Sequence, residues 1–167
     1  MNTALGIFGV GTITYFAAAE SNQIEQKNRA FQQAKALCGE KGIINLGCGP
    51  YKHEIAHCMA SDVNVVCNVD MHSDGDGMPN YQQVNLESMP YPFTDKQFGV
   101  SFASHILEHL ENWEEALMEM RRISDHVVLV LPHPLYIANH VHPYHKQHFG
   151  FEDLEALREY EEVWVYV

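Results

Sequence analysis

Residues 42–50 read GIINLGCGP and residues 63–70 read VNVVCNVD. In the first stretch a short apolar run, residues 42–46, is broken by Gly47-Cys48-Gly49-Pro50. Glycines there let the backbone turn sharply and approach a ligand closely. In the second, the β-branched run over residues 63–69 predicts a buried strand, and Asp70 closes it. Residues 51–59, between the two, suit a helix. Strand, glycine loop, helix, strand and acid follow the order of an α/β unit that holds a nucleoside. The helix N-terminus supplies free N–H donors, and a carboxylate about 20 residues beyond the glycines accepts both hydrogen bonds of a ribose diol.

On the N-terminal side of this unit, Ser21 or Asn22 is placed to cap a helix that runs to Leu37 and stops at Gly39. Its apolar stripe is Ile24, Ala30, Phe31, Ala34 and Leu37. On the C-terminal side, residues 71–80 are loop and residues 81–86 a third strand. Residues 89–95, with two prolines, are loop, and residues 98–104 form a fourth strand. Asn112 is the expected cap of a helix over residues 113–123, with Trp113, Leu117 and Met120 on its core face. Residues 126–131 (HVVLVL) are the fifth strand, residues 132–149 a long His-rich connection, residues 151–161 a helix and residues 163–167 a last strand. This alternation predicts an α/β fold: a Rossmann-like, open, mostly parallel sheet with helices on both faces, shortened at the C-terminus to about six strands.

The chain has 167 residues, 46% of them apolar, which suits one domain with a real core. Its formal net charge of -12, with ten Lys and Arg scattered along it, disfavours nucleic acid as a partner. Small molecules or proteins are the expected partners. Cys38, Cys48, Cys58 and Cys67 form no Cys-x-x-Cys pair, and a chain this long needs no disulfide staples; reduced thiols and a cytoplasmic setting follow. Residues 1–19 carry no charged side chain and are close to the ~20 apolar residues that a membrane span needs. They read as a membrane anchor, with Lys27, Arg29 and Lys35 keeping the rest of the chain cytoplasmic. The alternatives are a lid helix and a secretory signal, although the positive n-region of a signal is missing.

The glycine loop separates cofactor classes. A dinucleotide fingerprint places a third glycine where the pyrophosphate meets the helix. Here Tyr51 and Lys52 follow Pro50, and no glycine occurs before Gly75. A cofactor without phosphates suits the loop better than NAD or a nucleotide sugar.

INLGCGP over residues 44–50, NVDMH over 68–72, NLESMPYPFTDKQF over 85–98, SFASHILEHLENWEEAL over 101–117 and HKQHFGFEDLEAL over 145–157 together resemble the type 11 class I S-adenosylmethionine-dependent methyltransferases. The resemblance spans roughly residues 42–157 and makes residues 20–167 the methyltransferase domain. It implies S-adenosylmethionine as cofactor. Asn45 and Leu46 would lead into the loop, and Gly47, Cys48 and Gly49 would pass beneath the methionine moiety. Asp70 would hold the ribose hydroxyls and Met71 would lie against the adenine. Asn85 and Leu86 would read the adenine amino group, and Ser104 and His105 would face the methionine end and the substrate. The sequence departs from the family at Asn45, Tyr51 and Asn85, where an acid, a glycine and an Asp are usual.

His105, Glu108, His109 and His133 fall near the carboxyl ends of strands four and five, the edge where open α/β sheets bind ligands. His105 and His133 are the candidate catalytic bases, since imidazole titrates near neutral pH. His140, His142, His145 and His148 are dense, but neither HExxH nor Cys-x-x-Cys accompanies them. They read as a pocket wall or solvated loop, with no metal expected. Two functions compete: methyl transfer to a small-molecule or lipid-like acceptor, and a degenerate methyltransferase-like module that engages a protein partner.

Overall fold

The structure is a computed structural model that describes residues 21–49, 59–72, 77–136 and 140–167. Along these the elements are α1 (residues 21–37), β1 (Ile43–Leu46), β2 (Val65–Asp70), β3 (Tyr81–Gln83) and β4 (Phe98–Ser104). They continue with α2 (Trp113–Ile123), β5 (Ser124–Val130), α3 (Phe151–Arg158) and β6 (Val163–Tyr166). Short 3-10 turns occupy Gly39–Lys41 and Leu107–His109.

The six strands form one open sheet in the order β3-β2-β1-β4-β5-β6, and every neighbouring pair is parallel. Side chains alternate across a strand, so each strand feeds two cores. Ile43, Val128 and Val130 face α1, where they meet Ala30, Phe31 and Ala34. Ile44, Leu46, Val127 and Leu129 face α2 and α3, meeting Leu117, Met120, Leu154 and Leu157. Helices on both faces are therefore why β1 is buried along its whole length and β5 is buried and apolar over its last four residues, Val127 to Val130. The chain order reverses between β1 and β4, which opens a crevice at their carboxyl ends, the usual ligand position in such sheets.

Several boundaries differ from the sequence reading. Ser21 and Asn22 lie inside α1 and so do not cap it; Asn22 Nδ2 instead donates to the Tyr136 hydroxyl at 2.9 Å. β2 starts at Val65, because Asp62 Oδ1 accepts the Asn64 N–H in a tight turn that leaves Val63 92% exposed. β3 stops at Gln83, since Asn85 Oδ1 accepts the Glu87 N–H and bends the chain away. Asn112 makes no side-chain cap to α2. Glu87 supplies the acceptors there, taking the N–H of Glu111 at 2.9 Å and that of Asn112 at 3.5 Å. β5 begins earlier than expected, at Ser124, whose buried hydroxyl donates to the Met120 carbonyl and accepts from the Ser101 hydroxyl. α3 ends at Arg158, short of residue 161.

Among the described residues no helix is long and apolar enough to cross a membrane. The anchor expected of residues 1–19 lies outside them, as do Tyr51 and most of the helix expected over residues 51–59.

Candidate active site

The loop after β1 is held against β2 by its backbone. The Gly47 and Cys48 N–H groups both donate to the Val69 carbonyl, at 2.8 and 3.0 Å. The Gly49 N–H donates to Asp70 Oδ2 at 2.9 Å, joining the glycine loop to the acid that closes β2. Asp70 Oδ1 accepts the His72 N–H at 3.2 Å. An ionised carboxylate has about four acceptor positions, so both oxygens keep capacity for a ligand's hydroxyl groups. Gly47 has φ +67°, and a Cβ there would stand 1.9 Å from Ile106 Cδ1. Glycine is required at this position because the first residues after β4 pack directly on the loop.

A cleft of about 530 Å³ opens beside this junction. Gly47, Asp70, Met71, Asn85 and Leu86 line it, all five expected from the sequence. Its size is that of a small-molecule site. Ile106 and Leu110 add apolar wall, and Pro143, Tyr144 and Lys146 close it from the connection after β5. Glu87 and His109 also reach it. Lys146 Nζ bridges Glu87 and Glu111, at 3.0 and 3.2 Å. Burial pushes the Glu87 carboxyl up, but the Glu111 N–H, Lys146 and the Asn112 N–H outweigh it and hold the group below its ordinary range.

The remaining expected residues take other places. Asn45 is buried and donates through Nδ2 to Asn68 Oδ1 at 2.9 Å, and Leu46 is wholly buried in the α2–α3 core. Cys48 packs with Ala60 and Met78. Burial, then the charge of Asp70, pushes its thiol up to about 12, so it is a protonated filler and no nucleophile at neutral pH. Ser104 closes β4, with its Oγ buried and without a hydrogen-bond partner among the described residues. His105 follows at φ +54°, its N–H on the Val130 carbonyl. Its Nδ1 lies 3.1 Å from Glu108 Oε1, while its Nε2 is buried with no hydrogen-bond partner among the described residues. Ser104, His105 and His133 are not among the residues that line the cleft. His133 Nδ1 accepts the Leu135 N–H at 3.2 Å, and its ring packs beside Tyr136 and Phe151.

Ile106, Leu110, Glu87, Tyr144 and Lys146 carried no sequence signal for the site. Ile106 and Leu110 read as packing, and Tyr144 and Lys146 lie some 60 residues beyond Glu87 (59 for Lys146).

The residues present fit S-adenosylmethionine. The loop brings its backbone to the cleft, the carboxylate keeps acceptor capacity and the side walls are apolar; Ser104 Oγ and His105 Nε2, at the end of β4 and outside that lining, have no hydrogen-bond partner among the described residues.

Comparison with known proteins agrees with this geometry. Residues 38–126, more than half of the chain, match the family described as "Methyltransferase domain". The chain is similar in fold to an S-adenosylmethionine-dependent methyltransferase from Archaeoglobus fulgidus, at 21% identity and a TM-score of 0.60, covering 87% of this chain and 72% of that one. It is similar to a protein assigned as a methyltransferase from Bacillus halodurans, at 23% identity and a TM-score of 0.57, covering 80% of this chain and 67% of that one. It is also similar to the [4+2]-cyclase SpnF, at 17% identity and a TM-score of 0.53, covering 78% of this chain and 55% of that one. The chain spans about half the length of some structures it matches, 55% of the cyclase and 49% of the YcgJ protein of Bacillus subtilis. No curated protein matches it. By the family match the chain belongs to the methyltransferase domain family, and its fold is the one these methyltransferases share.

Proposed function

We propose that this chain binds S-adenosylmethionine in the cleft beside Gly47 and Asp70 and transfers its methyl group to a small-molecule acceptor. The observation that carries the reading is the hydrogen bond from the Gly49 N–H to Asp70 Oδ2, at the point where the strand order reverses. It sets the glycine backbone and the ribose-binding acid side by side. Asp70 accepts the ribose hydroxyls, and Met71 and Leu86 pack on the adenine. Asn45 and Leu46 support the loop from below rather than touching the cofactor.

The bound sulfonium supplies an activated methyl group; the protein supplies alignment and, where the acceptor carries a proton, a base. His105 suits that role better than His133. Glu108 Oε1 holds His105 Nδ1, which leaves Nε2 as the atom that takes the proton, and the adjacent carboxylate stabilises the resulting imidazolium. Ser104 Oγ, also without a partner among the described residues, orients the acceptor.

A second reading, a module with little catalysis, draws support from Asn85. Its side-chain oxygen already accepts the Glu87 N–H, and an amide carries no charge to offer a cofactor amino group.

Calorimetric titration of the full chain with S-adenosylhomocysteine, beside Asp70→Ala and Asp70→Asn, tests the first reading. Micromolar binding by the parent, lost in the alanine variant and weakened in the amide variant, is the expected result. Absence of binding by a folded parent protein would overturn the cofactor assignment and favour the module.

A further inference from the structure

Metal-ligating side chains converge where the Leu107–His109 turn meets the connection after β5. One ligand atom each from Glu108, His109 and His145 lie within 4.8 Å of one another. The His142 ring centre is 4.3 Å from that of His145 and 5.9 Å from that of His109, and the His109 and His145 ring centres are 4.9 Å apart. A histidine bound to zinc through nitrogen at about 2.1 Å has its ring centre roughly 3.2 Å from the ion, and tetrahedral angles then hold neighbouring ring centres roughly 5 Å apart. The three observed spacings straddle that value.

Two further observations point to a cation. Glu108 is 0% exposed; its Oε1 faces His105 Nδ1, and its Oε2 is buried with no hydrogen-bond partner among the described residues. A carboxylate oxygen buried this way is costly unless a cation meets it. Lys27 lies close enough to sense the charge of Glu108 but makes no hydrogen bond to it, and burial pushes the Lys27 ammonium down. His109 Nδ1, in turn, lies 3.0 Å from the Tyr144 carbonyl. That bond puts the ring proton on Nδ1 and leaves the Nε2 lone pair free, the arrangement that orients metal-binding histidines.

We propose that Glu108, His109 and His145, completed by His142, bind one divalent transition-metal ion of the zinc type. The mixed nitrogen and carboxylate set favours zinc over magnesium or calcium. The ion clasps the connection after β5 to the turn after β4. The Lys146 and Gln147 N–H groups already donate to the Glu108 carbonyl, at 2.8 and 3.1 Å, so the two segments are held in place before the ion arrives. His109, Tyr144 and Lys146 also line the cleft, so the clasp fixes one of its walls. The site stands on these contacts and does not depend on the methyl-transfer reading.

The test is titration of the chelator-stripped full chain with Zn²⁺, followed by calorimetry, and with Co²⁺, followed by visible absorption. One ion per chain, a tetrahedral Co²⁺ spectrum and a raised thermal midpoint with Zn²⁺ are expected. His109→Ala and His145→Gln should each weaken binding by at least about 100-fold, more than the loss of an outer partner does. His148→Ala, outside the cluster, should bind as the parent does. No stoichiometric binding by the parent, unchanged affinity in His145→Gln, or an equal loss in His148→Ala would each overturn the site. His145 is half-buried in a connection, so if His109→Ala fails to fold, His145→Gln decides alone.

Discussion

Replacing Gly47 with alanine should cost the fold about 2–5 kcal/mol, and most of that cost should pass through Ile106. The backbone at Gly47 is left-handed, with φ +67°. An L-residue there loses about 1–2 kcal/mol. The new Cβ would stand 1.9 Å from Ile106 Cδ1 and 2.3 Å from its Cγ1, so Ile106 must leave its position. Overpacking of that kind adds about 1–3 kcal/mol. Gly49 is the control: its φ is +69°, but nothing among the described residues lies within 4 Å of a Cβ there. Gly49→Ala should therefore cost only the backbone term, about 1–2 kcal/mol. In an Ile106→Ala background the clash at Gly47 disappears, leaving a coupling of about 1–3 kcal/mol between the two positions. Urea unfolding followed by tryptophan fluorescence reads all four variants. At a slope of about 2 kcal/mol/M, Gly47→Ala should lower the midpoint by roughly 1–2.5 M and Gly49→Ala by roughly 0.5–1 M. Equal shifts for the two glycines, or strict additivity of Gly47→Ala with Ile106→Ala, would show that the contact with Ile106 is not what demands glycine.

Two further outcomes follow from the packing under the cleft. The Tyr91 hydroxyl donates to the Leu86 carbonyl at 3.1 Å in a buried setting, and burial, then the charges of Glu119 and Glu87, push its phenol well above the ordinary range. Tyr91→Phe should lose about 1–2 kcal/mol in urea unfolding, evenly across neutral pH, because the donor is never ionised there; a pH-dependent loss would contradict this. The hydrogen bond from Arg122, with the Tyr91 N–H adding to it, holds the Glu119 carboxyl below its ordinary range. A depressed carboxylate contributes stability above its unfolded value, about 4.3, and loses it as pH falls through the folded value. Glu119→Gln should thus flatten the acid limb of the stability profile below about pH 5, and a variant whose limb runs parallel to the parent's would refute the assignment.

The inner part of the sheet was legible because β1, β4 and the second half of β5 are buried on both faces. Their sequences are mostly apolar and β-branched or aromatic, and such runs between turn residues leave few alternatives. The ends of elements were less legible, because side chains distant in sequence settle them. Asn112 sits where a cap belongs, yet Glu87 reaches the α2 N-terminus first. The near half of the cleft, from Gly47 to Leu86, was readable from loop chemistry and spacing. The far half was not. Ile106 and Leu110 look like core residues in one dimension, and Tyr144 and Lys146 join the cleft only because the connection after β5 folds back on Glu108. The histidines of that connection look like a solvated run until Glu108 and His109 are set beside them.

Asn45 is best understood together with Asn68. The two face each other in register across β1 and β2. Asn68 is 0% exposed, and its Nδ2 is committed to two carbonyls, Ala60 at 3.0 Å and Pro79 at 2.8 Å. Its Oδ1 must then face Asn45, and only a donor can sit opposite. An acid at position 45 would set a buried carboxylate against that oxygen, an arrangement that costs more than a missing hydrogen bond. The amide at 45 is thus dictated by the amide at 68, and both lie beneath the loop, outside the cleft lining. The substitution reports a change in how β1 and β2 are joined and says nothing about cofactor charge. Of the departures from the family that the structure describes, only Asn85 reaches the cleft, and there its oxygen already accepts one hydrogen bond from its own turn. Asp70 is then the acid in the cleft that the loop backbone grips directly, which makes Asp70→Ala the variant that tests the proposed cofactor site.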